Sequence, residues 1–92
     1  MERDIERTAC KRAEDQGWYQ KKITSPGRRG TLDRIFHKGG VTVYIEFKQP
    51  GGALSPHQHQ EMRLLDEHGI PNAVAYTTNE ALTFLGKHDP EL

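Results

Sequence analysis

Asp33, Glu46 and Lys48 are the residues of this sequence whose types and spacing could do chemistry together. Carboxylates are hard, acceptor-only groups, and two of them held close repel unless a proton or a cation lies between them. A lysine two residues past one of them emerges on the same face of an extended strand, about 6.7 Å along it. Two acids and a lysine so arranged can hold a divalent ion and polarise a water beside it. As an isolated pattern the three are equally ordinary exposed strand residues that balance one another's charge.

The elements around them decide between these readings. Gly39-Gly40 separates two strand-like runs, Thr31 to Lys38 and Val41 to Lys48, and both glycines tolerate the positive φ of a two-residue hairpin turn. Such a turn fixes the register: Lys38 opposes Val41, Phe36 opposes Val43, and Asp33 opposes Glu46. Alternation then gives Leu32, Phe36, Val43, Ile45 and Phe47 one apolar face, with Arg34 as its exception, and puts Asp33, Tyr44, Glu46 and Lys48 on the other. Directly opposed carboxylates have Cβ atoms about 4.5–5.5 Å apart, a destabilising contact unless neutralised. Mg²⁺ would do this, with Asp33, Glu46 and the backbone carbonyl of Phe47 as ligands.

Around the hairpin, residues 2 to 16 read as a helix stopped by Gly17, and residues 18 to 24 as a short strand. Ser25 to Gly30 is a loop with adjacent arginines, and residues 49 to 54 form a second, flexible loop. Ser55-Pro56 starts a helix that ends at Gly69, Ala73 to Tyr76 is a last strand, and a helix lies near Glu80 to Leu85. This order, α-β-β-β-α-β-α, predicts an α/β fold with a small mixed sheet flanked by helices.

The chain of 92 residues, 34% hydrophobic, is one domain's worth, with a lean core that a partner chain would help complete. Its formal charge is zero, which excludes a globally basic nucleic-acid coat, yet residues 20 to 40 carry +5 and residues 60 to 92 carry −4. Lys21, Lys22, Arg28, Arg29 and Arg34 thus surround Asp33, and an activated water beside a basic patch points to phosphodiester hydrolysis with those cations on DNA phosphates. The single Cys10 excludes an internal disulfide and a Cys-based zinc site. No apolar run suits a membrane span, and the charged start is no signal peptide, so a cytoplasmic protein is expected. His57 and His59, two apart on a helix, point to different faces and chelate poorly. Trp18 and Tyr19 read as structural. Ser55-x-x-Gln58 matches a capping box, in which the glutamine satisfies the N-cap backbone.

Ser25-Pro-Gly-Arg-Arg-Gly-Thr-Leu-Asp33-Arg34, followed by Ile45-Glu46-Phe-Lys48-Gln-Pro-Gly-Gly-Ala-Leu54-Ser55-Pro-His-Gln58, resembles the virus-type replication-repair nuclease (VRR-NUC) domain of the PD-(D/E)xK superfamily. The likeness also takes in Gly17-Trp18, Lys22 and the turn containing Gly69, and so spans nearly the whole chain. It departs at Leu32, where the family usually has proline. The resemblance implies a restriction-endonuclease-like fold, Asp33 and Glu46 as ligands of Mg²⁺ or Mn²⁺, Lys48 as the catalytic lysine, and Gln58 as a helper from the following helix. It also implies an acidic residue on the first helix. Glu2 best fits the family's spacing to Ile5, and Glu6 lies one turn later. Small stand-alone members resemble Holliday-junction resolvases, which implies a homodimer acting on four-way DNA junctions, with a bacteriophage source and action in the host cytoplasm. A flap or linear-duplex nuclease with the same site, or a non-catalytic nucleic-acid-binding module, are the alternatives.

Overall fold

Gly39 and Gly40 adopt φ of +54° and +85°, so the hairpin turns through two left-handed residues whose twist suits the flanking strands. The computed structural model describes residues 2–24 and 30–92 and, of Glu2, the backbone alone. On either side of the turn, β2 (Arg34–Lys38) pairs antiparallel with β3 (Val41–Phe47), Lys38 opposite Val41 and Phe36 opposite Val43, as the two-residue turn requires. β1 (Tyr19–Lys22) pairs antiparallel with the outer edge of β2, Gln20 opposite Phe36. β4 (Asn72–Ala75) runs parallel to β3, a direction that needs a crossover, here α2 (Pro56–Glu67). The sheet order is β1-β2-β3-β4, and α1 (Glu2–Asp15) and α3 (Thr78–His88) complete the predicted sequence of elements.

Alternation along the strands sorts the layers. Phe36, Val43, Ile45 and Phe47 point to one face and pack with Trp18 against Ala9 and Ala13 of α1 and Ala81 and Leu85 of α3. α1 and α3 also pack on each other. Alanine at the contact lets both helix backbones approach the sheet, which is how a sequence lean in large apolar residues still closes a core. Arg34, the polar exception on this face, is accommodated because Glu6 of α1 and Gln20 of β1 both accept hydrogen bonds from its guanidinium. α2 lies on the opposite face and packs against β4 alone among the elements described.

Most elements differ from the sequence reading by one or two residues at their ends, and β2 and the last helix differ by more, each for a local reason. β2 begins at Arg34 rather than Thr31, because at Asp33 the ladder gives way to bonds between side chains and backbone, described below. The last helix is longer than Glu80 to Leu85. Thr77 caps it by accepting from the Glu80 amide, while the Glu80 carboxylate accepts from the Tyr76 amide. A separate knot fastens the far end of the sheet: Lys38 donates to the Gln16 carbonyl at 2.6 Å and to Asp89 at 2.8 Å. That pairing raises the Lys38 pKa and lowers that of Asp89. Cys10 is buried against α1's neighbours, and desolvation pushes its thiol up to about 11, so it is an unreactive core residue. No helix among the described residues is long and apolar enough to cross a membrane.

Two glycines are expected to respond in opposite senses. Gly30 has φ +81°, and a Cβ there would lie 2.3 Å from the His57 carbonyl oxygen of α2. Gly30→Ala should therefore cost more than about 1 kcal/mol and lower the thermal midpoint by roughly 5 °C or more. Gly86, inside α3 with open space where a Cβ would go, should give a gain of about 0.5–1 kcal/mol as Gly86→Ala. Circular dichroism melts of both variants read the two signs.

Candidate active site

Where the β2–β3 ladder ends, the next rung is built from side chains. The Asp33 amide donates to Glu46 Oε1 at 3.0 Å, and the Phe47 amide donates to Asp33 Oδ2 at 3.1 Å. The two acids that the register sets opposite each other thus each accept from backbone on the other's strand. Asp33 also keeps its place in the sheet, since its carbonyl accepts from the Ile23 amide. The reciprocal bonds hold both carboxylates at one spot while allowing β2 and β3 to part there.

Glu46 is 3% exposed, the one buried charged residue among those described. It projects onto the α2 side of the sheet, where Gln58 from the first turn of α2 reaches it. Its Oε2 accepts from Gln58 Nε2 at 3.0 Å and lies 3.6 Å from Lys48 Nζ. Burial, and then the neighbouring Asp33 charge, push the Glu46 pKa up to about 7, against the opposing pull of Lys48 and the two hydrogen bonds. Lys48 shares this face, as the two-residue spacing requires, and is held between the carboxylate and solvent, partly exposed.

Gln58 makes two kinds of contact at once. Ser55 caps α2 by accepting from the Gln58 amide, and Gln58 Oε1 accepts from the Ser55 amide, so the capping box is formed. The other end of the same side-chain amide reaches Glu46. A helix cap therefore aims a donor at the buried acid, and Gly30, pressed on the His57 backbone of the same first turn, helps to seat it. Gly30 was not singled out by sequence as part of this assembly; its signal is a glycine just before the strand that carries Asp33.

Asp33, Glu46, Lys48 and Gln58 therefore meet, and the remaining candidates divide. Phe47 sends its amide toward Asp33, and in an extended strand a residue's carbonyl points to the same edge as its amide, so this carbonyl faces the carboxylates. Glu6 is bonded to Arg34, whose side chain leaves the sheet on the face opposite Glu46. Among the described residues no three His, Cys, Asp or Glu side chains gather as a cation site, so Glu6 does not complete the pair. The Glu2 side chain, like Arg28 and Arg29, lies outside the described residues. Lys21 and Lys22 are exposed on β1, whereas Arg34 is tied down on the helix side. The donor set of two carboxylates, one of them driven toward protonation by burial and then by its like-charged neighbour, together with a carbonyl, is chemically suited to a hard divalent cation.

The raised Glu46 pKa has a definite sign in stability. A carboxyl with a folded-state pKa near 7 and an ordinary value of 4.5 binds its proton more tightly in the folded chain. Its contribution is fully present below about pH 4.5 and is lost as pH rises through 7. In EDTA, the thermal midpoint of the wild type should fall relative to that of Glu46→Gln between pH 5 and about 7.5. Parallel curves for the two proteins by scanning calorimetry would contradict this.

Comparison with protein-family models and with curated proteins gives no match. Among solved structures, a VRR-NUC domain superposes on 95% of this chain and 95% of its own length, with a TM-score of 0.82 and 25% sequence identity. The fold of this chain is that of a VRR-NUC domain, a nuclease-type α/β domain with a four-stranded mixed sheet flanked by three helices.

Proposed function

We propose that this chain is a metal-dependent, structure-selective DNA endonuclease, a Holliday-junction resolvase that works as a homodimer in the cytoplasm. The observation that carries the chemistry is the buried Glu46 beside Asp33, each held by backbone of the other's strand, with Lys48 at 3.6 Å. Asp33, Glu46 and the Phe47 carbonyl would hold Mg²⁺ or Mn²⁺, with Glu2 as the acid offered by α1. Such an ion, when bound, would supply Lewis-acid activation of a water and neutralisation of phosphate charge. Lys48 would donate to a phosphate oxygen or to a water beside Glu46, its positive charge favouring negative charge at that point. Gln58 keeps one Glu46 oxygen occupied and so directs the other toward Asp33. Lys21 and Lys22, with Arg28 and Arg29 from the loop, would contact the phosphate backbone, which positions DNA without reading its sequence. A four-way junction offers two equivalent strands, and a two-fold dimer would present one such site to each.

A non-catalytic DNA-binding module would keep the basic residues and have no cleavage to lose, and a flap or linear-duplex nuclease would keep the chemistry without the preference for branches. End-labelled four-way junction and matched linear duplex, incubated with Mg²⁺, Mn²⁺ or EDTA, separate the three. Paired metal-dependent cuts near the branch are expected, with Lys48→Ala slower by about 10²-fold or more and Asp33→Asn retaining junction binding. Binding without any cut in either metal points to the module, and equal cutting of linear DNA to the broader nuclease. Mn²⁺ at about 100 times its dissociation constant should stabilise the wild type by roughly 2.7 kcal/mol, and Asp33→Asn much less, in a thermal shift measurement.

A further inference from the structure

One half of the sheet face that carries Glu46 has no described element over it. α2 packs on β4 alone, which leaves Tyr19, Lys21, Ile35, His37, Thr42 and Tyr44 in a surface that runs from β1 across to β3. Tyr19 is 61% exposed, an unusual state for a large ring on a strand. It is nevertheless ordered by its neighbours. Its ring lies 5.7 Å from that of His37 at an interplanar angle of 22°, the His37 imidazole is bonded to Thr42 Oγ1 at 2.9 Å, and Lys21 Nζ lies 5.9 Å from the Tyr19 ring centre. Next to this pair, toward the carboxylates, is an open groove of about 520 Å³ lined by Lys21, Lys22, Thr31, Ile35, Tyr44 and Glu61.

Exposed, nearly parallel rings beside lysines are suited to an unpaired nucleobase with its phosphate, because any base offers a π-face and stacking tolerates any sequence. A second copy of this chain is a poorer occupant, since covering the face would desolvate Lys21 and Lys22 against a single carboxylate, Glu61. The position also fits. Thr42, opposite His37, is four residues from Glu46 on β3, about 13 Å along the strand, or roughly four steps of a stacked nucleic-acid strand.

We propose that the open sheet face from Tyr44 to the Tyr19–His37 pair is a single-strand subsite, where an unpaired base of a branched DNA stacks on Tyr19 while Lys21 and Lys22 meet its phosphates. This rests on the nucleic-acid reading above and extends it to the substrate, DNA whose strands separate close to the cleavage site. His37, held by Thr42, backs the Tyr19 ring and keeps it parallel to the incoming base.

The test is binding in EDTA of a fluorescent duplex with a single-stranded arm, and of the matched blunt duplex, followed by anisotropy. Tyr19→Ala should weaken binding of the armed DNA by about 10-fold and leave the blunt duplex unchanged, while Tyr19→Phe keeps wild-type affinity. A 2-aminopurine in the arm should be quenched by the wild type and Tyr19→Phe but not by Tyr19→Ala. Unchanged affinity for armed DNA in Tyr19→Ala, or an equal loss on both DNAs, would overturn the subsite. So would sedimentation showing that Tyr19→Ala splits a dimer, which would assign the face to a second copy. If the wild type bound neither DNA, the nucleic-acid reading and the subsite would fall together; if it bound both with no dependence on Tyr19, only the subsite would fall.

Discussion

A carboxylate almost wholly removed from water, in a domain of this size, has to be met by donors or it takes up a proton. Glu46 is met by three: the Asp33 amide, the Gln58 side chain and, at longer range, the Lys48 ammonium. Each comes from a different part of the fold, so that the position of β2, the start of α2 and the course of the chain beyond β3 are all referred to one side chain. The second carboxylate close by makes the arrangement electrostatically incomplete. Two acids at one spot, one of them buried, form the kind of arrangement in which perturbed carboxylates are found at functional sites, and this is what supports the functional reading proposed above.

The two faces of the sheet do different work as a result. On one, aromatic and branched side chains meet alanines of α1 and α3, and the charges of Arg34 and Lys38 are neutralised in place by Glu6 and Asp89. On the other, one helix covers one strand and the rest is left to polar and aromatic side chains. Stability is concentrated on the first face, leaving the second to present charge. A four-stranded sheet with helices on both sides ordinarily buries both faces; here no described helix packs on this face over β1 and β2.

The hairpin was legible from sequence because two adjacent glycines fix both turn and register, and the opposition of Asp33 and Glu46 followed from counting residues. The Ser55 cap was legible for the same reason, being a contact between residues three apart. What sequence could not supply were the long-range contacts. The Arg34–Glu6 pair spans 28 positions and Gln58 to Glu46 spans 12, so neither leaves a local pattern. Gln58 looked like a choice between cap and site, yet an amide has two ends and this one uses both. Tyr19 and Trp18 looked alike as neighbouring aromatics on a strand, but alternation sends Trp18 into the core and Tyr19 outward.

The reciprocal bonds between Asp33 and Glu46 also bear on how such a site decays. Both acids are acceptors for backbone amides at the end of the ladder, so removing either oxygen exposes a structural need independent of any chemistry at the site. A variant of this chain that lacked both carboxylates would still require an acceptor at both positions. Asparagine or glutamine would satisfy it, whereas alanine would open the end of the hairpin. Such variants would therefore carry amides in place of the acids, and the change would be written in a single pair of nitrogens.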